Sequence, residues 1–518
     1  MACLQYQIKE FALHSFFAVI AMYSEWVSLR NTLQRDQSNR SVLQNFPPSV
    51  GKDAAHTVVK TLVNSGTQES LRSEKEVDWI MEVLCYGLTL QMTESDGEIV
   101  KGCVNIYLDW LTVLTNPKNG IPEPLLKTPE KYAKAIFHHF RNLFVKRTEG
   151  NLALQASLCI RVLQVIQATA AEAKMSHLTW EALLKFLMII NDMLLSPPNI
   201  SGGLAEHLCE KLISVLLEVW LYASCYHFPA PSMWKTLQEL CMSWRHHSAM
   251  IDYWSRTSLS LTKKVIQFMY GPSFPLALVP TKKSDVRLPA KLANDCLIQC
   301  WFRILHIIGN PVDLCKKEVI SATPRFKEFA LESEEVISPE AHPCLKMLPQ
   351  NFLQAMKGIA VLINAFLSIT TTVDEPVKHI PIPAPTKSSS PPPAKRRDLK
   401  SLSIGLALGL NDLTGIVRSQ TVPSRNSSGA SSTGIPQLDP HHTELTSISS
   451  TSMLFPRSTA SDTERPSGDS VLHLFGAWLF DAIFAKMDMP ANFKALGKIY
   501  EGFVGNTVPE MTGTGRVG

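Results

Sequence analysis

The sequence predicts an all-α chain. Its main part reads as an armadillo- or HEAT-like helical-repeat solenoid, followed by a disordered Ser/Thr/Pro-rich linker and a short amphipathic helix. Three observations carry this reading. First, apolar residues recur with helical spacing in run after run: Val77, Ile80, Met81 and Leu84 fall at i, i+3, i+4 and i+7, one face of a 3.6-residue helix. Second, helices opening near Pro129, Thr179 and Ser232 start roughly 50 residues apart, slightly longer than the ~40–47 of armadillo and HEAT units. Their partners near Asn151, Gly203 and Ser248 keep a similar step. Third, the composition changes at about Thr370. The rival arrangement is an irregular all-α domain, because the units share helical layout and little sequence.

In chain order, residues 1–21 read as an N-terminal extension and 22–74 as an irregular lead-in with one short helix, marked by Pro47-Pro48. Residues 75–369 form the helical-repeat domain. Its second helix, Ile99 to Leu114, closes at Asn116-Pro117. Pro129 opens the next at a position proline tolerates. Leu154, Leu158, Val162 and Val165 line its partner, and Ser196-Pro197-Pro198 ends the helix after that. The densest stretch is Leu204 to Pro275, three helices rich in Trp, Leu and Cys. Cys296 to Ile308 and Leu348 to Ile369 complete the array. Stacked helix pairs bury one ridge against the next and leave a groove open.

Residues 370–470 cannot bury enough apolar area to offset their ordering entropy, so they read as disordered linker. Residues 471–486 form a docking helix, with Leu472, Phe475, Leu479 and Ile483 on one face and Trp478 beside them. That helix is too short to be stable alone and must dock on the array or on a partner. Phe475, Trp478 and Leu479 are the candidate docking residues. Residues 487–518 form a divergent tail.

Composition narrows the function. A net charge of +4, evenly spread over 518 residues, gives no footprint for nucleic acid. Eleven cysteines, an odd number scattered through apolar helices, read as buried free thiols in a reducing compartment, so the expected location is cytoplasmic. Phe11 to Met22 is apolar but lacks a clearly basic leader and is too short to span a bilayer, which needs ~20 residues. No membrane span is expected.

Catalytic constellations are missing. There is no phosphate-binding glycine loop and no nucleophile elbow. Cys296, Cys300 and His306 lack a fourth ligand for zinc. The pairs His138-His139, His246-His247 and His441-His442 point neighbours to different helix faces, which suits surface or cap roles. No metal or cofactor is expected. The linker offers candidate phosphorylation sites: Ser390 before Pro391, Thr421 three after Arg418, and Ser428 three after Arg425.

Several longer segments carry a resemblance. They are MYSEW at Met22–Trp26, EVDWIMEVLCYGLTL at Glu76–Leu90, WEALLKFLMIINDMLLSPP at Trp180–Pro198, WRHH at Trp244–His247 and YGPSFP at Tyr270–Pro275. WFRILHIIGNPVDL at Trp301–Leu314, PCLKMLPQNFLQAMKGI at Pro343–Ile359 and LFGAWLFDA at Leu474–Ala482 continue the series. In this order they resemble the beta-subunit family of Ral GTPase-activating complexes. The resemblance implies a non-enzymatic regulatory subunit that assembles with a catalytic alpha subunit and acts on Ral-type small GTPases indirectly. The alpha subunit would supply the asparagine that positions the attacking water. The family's Rap-activating-like domain has no counterpart in this chain, which therefore reads as a shortened form. The alternative reading is a general helical-repeat adaptor that holds a peptide or helix in its groove.

Overall fold

A computed structural model describes residues 23, 26–35, 40–63, 68–198, 203–271, 286, 288–332, 342–367, 475 and 478. The linker at 370–470 and the extension at 1–21 lie outside these residues, as does the tail at 487–518. The described residues form fifteen α-helices, with short 3-10 turns between them, and no strand.

Helices α1 (Arg30–Arg35), α2 (Pro48–Val63), α3 (Glu74–Gly87) and α4 (Glu94–Leu111) open the chain. Next come α5 (Glu123–Lys127), α6 (Pro129–Phe140), α7 (Leu152–Glu172) and α8 (His177–Leu195). The later helices are α9 (Leu204–Tyr226), α10 (Pro231–Ser243), α11 (Ser248–Tyr270) and α12 (Asn294–His306), then α13 (Glu318–Ser321), α14 (Pro324–Glu332) and α15 (Leu348–Leu367). Local chemistry sets the boundaries. Ser73 and Glu76 form a reciprocal capping box on α3, and Thr93 and Asn151 cap α4 and α7. Prolines open α6 and α10, and Gly271, at φ 89°, ends α11.

The helices pack in two rows. One row runs α2, α4, α7, α9, α11, each against the next; the other runs α6, α8, α10. Contacts of α4 with α6 and of α8 with α9 join the rows, while α12 and α15 close the far end on α11. The structure is therefore a paired helical stack, as the periodicity predicts. Helix α7 is the one described helix long and apolar enough to cross a membrane, but it packs between α4 and α9 inside the stack.

Two places differ from the sequence reading. Helix α2 lies where an irregular lead-in was expected: Pro48 takes the first helical position instead of ending a turn, and Ala55, Val58, Val59 and Leu62 are buried. Helix α1 does not stay with its sequence neighbours. It packs on α8 and α10, in the middle of the array.

Candidate interaction surface around helix α12

An α-helix leaves its last four carbonyls without an intrahelical donor. In α12 these belong to Arg303, Ile304, Leu305 and His306, and this end of the helix is buried. The Ile307 amide serves Ile304 at 3.3 Å and the Gly309 amide serves His306 at 3.0 Å, and side chains from remote segments add further donors. The Tyr23 hydroxyl donates to the Arg303 carbonyl at 3.3 Å. The Trp254 indole is shared between Ile304 at 3.0 Å and Leu305 at 3.3 Å. The Trp478 indole donates to Leu305 at 3.2 Å, and the Gln238 amide to His306 at 3.2 Å. Four parts of the chain thus converge on one helix end.

The first is an N-terminal strap. From Tyr23 it runs across α12, α10 and α8. The Ser28 hydroxyl bonds the Glu239 carboxylate at 2.5 Å, and the Leu29 amide donates to the Thr236 hydroxyl at 2.8 Å. The Arg303 guanidinium lies over Trp26, Phe228 and Trp234, 4.8–5.4 Å from their ring centroids. Aromatic faces attract a guanidinium through the ring quadrupole, which offsets part of its desolvation. Burial still lowers the Arg303 pKa, and it raises that of the Tyr23 hydroxyl well above the usual phenol range.

On another side of α12 sit Phe475 and Trp478, 5% and 2% exposed. Phe475 stacks on Trp301 at 6.4 Å, and Trp478 lies 6.5 Å from Trp254. Both docking residues that the structure describes are therefore covered by the array itself. Leu479, the third, lies outside the described residues, as do Ser390, Thr421 and Ser428.

The corner between α10 and α11 fastens the same end of the stack. Arg245, 1% exposed, donates to the carbonyls of Ile308 at 2.9 Å, Asn310 at 3.2 Å and Met242 at 3.0 Å. Burial lowers its pKa to about 10, and Asp313 at 4.0 Å partly counters this. The buried amide of Asn351 on α15 donates to the carbonyls of Arg245 at 3.0 Å and His246 at 2.9 Å. The His246 and His247 rings lie 4.1 Å apart, tilted by 42°. This pair was expected in a surface or cap role. His247 holds the N-cap position of α11, but the pair lies in an interior corner and not on the surface, because the residues occupy a turn, where helical facing does not apply. His247 bonds the Leu195 carbonyl at 3.0 Å, and burial lowers its pKa to about 4.

Of the suspected metal residues, Cys300 is buried with its thiol pushed up to about 12, and His306 bonds the Phe302 carbonyl at 2.8 Å. No three potential ligands come together among the described residues. Sequence reasoning missed Tyr23, Trp26 and Arg303. The available signal was a Tyr and a Trp in a supposedly irregular lead-in, and a lone cation inside the apolar run Cys296 to Ile308.

Among the described residues the chain is an all-helical stack with an aromatic cluster built around the end of α12. In sequence, the chain is similar to the beta subunits of Ral GTPase-activating proteins. Residues 151–272 match the RALGAPB N-terminal domain. The chain is 42% identical over 89% of its length to Ral GTPase-activating protein subunit beta of Homo sapiens, of which it covers 30%. The Mus musculus subunit beta is likewise 42% identical over 89% of the chain, 31% of that protein. A more distant relative, subunit alpha-2 of Rattus norvegicus, is 24% identical over 23% of the chain and 6% of the relative. The chain thus spans under a third of the length of the beta subunits it matches. No solved structure matches it significantly.

Proposed function

We infer that this chain is a non-catalytic scaffold subunit of a Ral GTPase-activating complex. In this reading it pairs with a catalytic alpha subunit and stimulates GTP hydrolysis by Ral-type GTPases only through that partner. The observation that carries it is the 42% identity to the beta subunit over 89% of the chain, and the WRHH corner also lies within the matched domain at 151–272. The architecture supports the reading. Phosphoryl transfer on a small GTPase needs positioned groups at the phosphates and at the attacking water, and the helices here carry packing surfaces. Cytoplasmic location and phosphorylation at Ser390, Thr421 or Ser428 belong to the same proposal.

Two measurements test it. The purified chain and an alpha subunit should co-elute on gel filtration, with full-length beta as control. In a single-turnover Ral-GTP assay the chain alone should leave hydrolysis at its intrinsic rate. Stimulation by the chain alone would overturn the non-catalytic reading, and failure to bind alpha would remove the scaffold role.

A further inference from the structure

Two connectors of the first repeats enclose a small polar cleft. Thr89 and Gln91, between α3 and α4, supply one side of it. Asn142, Val145, Lys146 and Arg147, between α6 and α7, supply the other. The connectors are braced. The Asn151 amide donates to the Met92 carbonyl at 2.7 Å. The buried Gln155 amide donates to the Leu143 and Val145 carbonyls, both at 2.8 Å. Gly150, at φ 109°, sits so near the Met92 backbone that a Cβ would overlap it. The cleft holds about 170 Å³, which suits a ligand well below drug size.

Arg147 lines the cleft without a counter-charge. Its Nη2 group donates to the Leu88 and Asn142 carbonyls, but its Nε is buried and has no partner among the described residues. Neither Arg147 nor Lys146 pairs with a carboxylate among the described residues, and Glu149, the next acid along, is exposed and outside the lining. Burial holds the neighbouring Cys159 thiol protonated, so it adds no charge. Burial also lowers the Arg147 pKa to about 10, which leaves it charged at neutral pH. A buried cation without an anion is costly, and so is an orphaned donor. Gln91 supplies an orphaned acceptor, since its Oε1 is buried and unpaired among the described residues. The other polar lining groups are committed: the Thr89 hydroxyl donates to the Tyr86 carbonyl at 2.7 Å, and the Asn142 amide to the Cys85 carbonyl at 3.4 Å.

From two cations, one buried donor and one buried acceptor we propose that this cleft binds inorganic phosphate. A phosphate oxygen accepts from Arg147 Nε, and Lys146 closes the outer side as a point charge. The P–O–H hydrogen of the same ion goes to Gln91 Oε1. Sulfate offers the same acceptor oxygens but carries no hydrogen at neutral pH, so it leaves Gln91 unpaired. The site is independent of the GTPase reading and needs no alpha subunit to be tested.

Isothermal calorimetry on the full chain tests it, with sodium phosphate and sodium sulfate injected at matched ionic strength and neutral pH. Phosphate should bind about tenfold more tightly than sulfate, the size of one hydrogen bond to a charged group. Gln91→Leu should bring phosphate down to the sulfate level and leave sulfate binding unchanged. Lys146→Ala, at an exposed position, should weaken both anions about fivefold. Arg147→Lys keeps the charge but lacks Nε, and should weaken both about tenfold. Circular dichroism checks that each variant is folded. Arg147 also braces two carbonyls, so Gln91→Leu and Lys146→Ala carry the test if Arg147→Lys unfolds. No binding of phosphate to the wild type leaves the cleft to water and overturns the proposal. So do equal affinities for phosphate and sulfate. Phosphate binding that survives both Gln91→Leu and Lys146→Ala unchanged places the ion elsewhere and overturns it as well.

Discussion

The first repeats and the later ones differ in what fills most of the space between helices, although Trp110 is buried in α4 and Gly358 brings α15 close to Ser255. Among α2, α3 and α4 the helices approach through glycine. A Cβ at Gly102 would overlap a Val59 methyl, one at Gly51 the Tyr86 ring, and one at Gly87 the Cys103 sulfur. From α9 onward the space is taken by tryptophan: Trp220, Trp234, Trp244, Trp254 and Trp301 are all fully buried. A glycine contact tolerates no added atom. A tryptophan-filled end instead brings polar atoms inside, and each needs a partner. Trp254 finds one in the α12 carbonyls and Trp301 in the Thr262 hydroxyl, while the indole N–H groups of Trp220, Trp234 and Trp244 have none among the described residues. The early repeats should therefore fail by overpacking, and the later ones by loss of polar partners.

The largest effect should come from Arg245→Met. It removes three bonds to backbone carbonyls at a site 1% exposed, and the expected loss is about 3–5 kcal/mol. Urea denaturation followed by tryptophan fluorescence measures it. A change below 1 kcal/mol would show that the corner does not fasten the later repeats.

Acid should act next, and on the same corner. Burial holds His246 well below its ordinary pKa and His247 at about 4, so both are neutral in the fold. The unfolded chain takes up protons near pH 6.5, which the folded chain refuses. The associated stability is fully present above about pH 6.5 and is lost as pH falls towards the folded values. Between pH 7 and pH 5 each such histidine should cost about 2 kcal/mol. The urea midpoint should drop over that interval, and His247→Gln should flatten the drop by removing one titrating group.

Asn351→Leu keeps the volume but leaves the Arg245 and His246 carbonyls without its amide. A loss of about 2 kcal/mol is expected, seen as a lower thermal midpoint. The smallest effect belongs to the early repeats. Gly102→Ala gains ~1 kcal/mol of helix propensity but forces Val59 aside, at about 1–3 kcal/mol. A net loss of about 1 kcal/mol would support the comparison, and a net gain would break it.

Legibility in the sequence followed the range of the forces involved. Helices α3, α7 and α9 were readable from periodicity and punctuation, because amphipathic spacing and caps are local. Helix α2 was equally readable in principle, since Ala55, Val58, Val59 and Leu62 carry the i, i+3, i+4, i+7 pattern. The double proline masked it by resembling a turn. The site was less legible. Phe475 and Trp478 stood out as an unpartnered apolar face, but their seat on α12 did not. Nothing near Arg303 in sequence indicates Trp26 or Trp234.

By itself, the sequence determined the helical class, the roughly 50-residue step of the repeats and the family its segments resemble. These depend on side-chain order along one helix, or on words of sequence. Only the tertiary structure decided that residue 23 and residue 478 meet on the same helix end. A helix's last carbonyls accept whatever donor reaches them, and which donor that is depends on how distant parts of the chain are packed together.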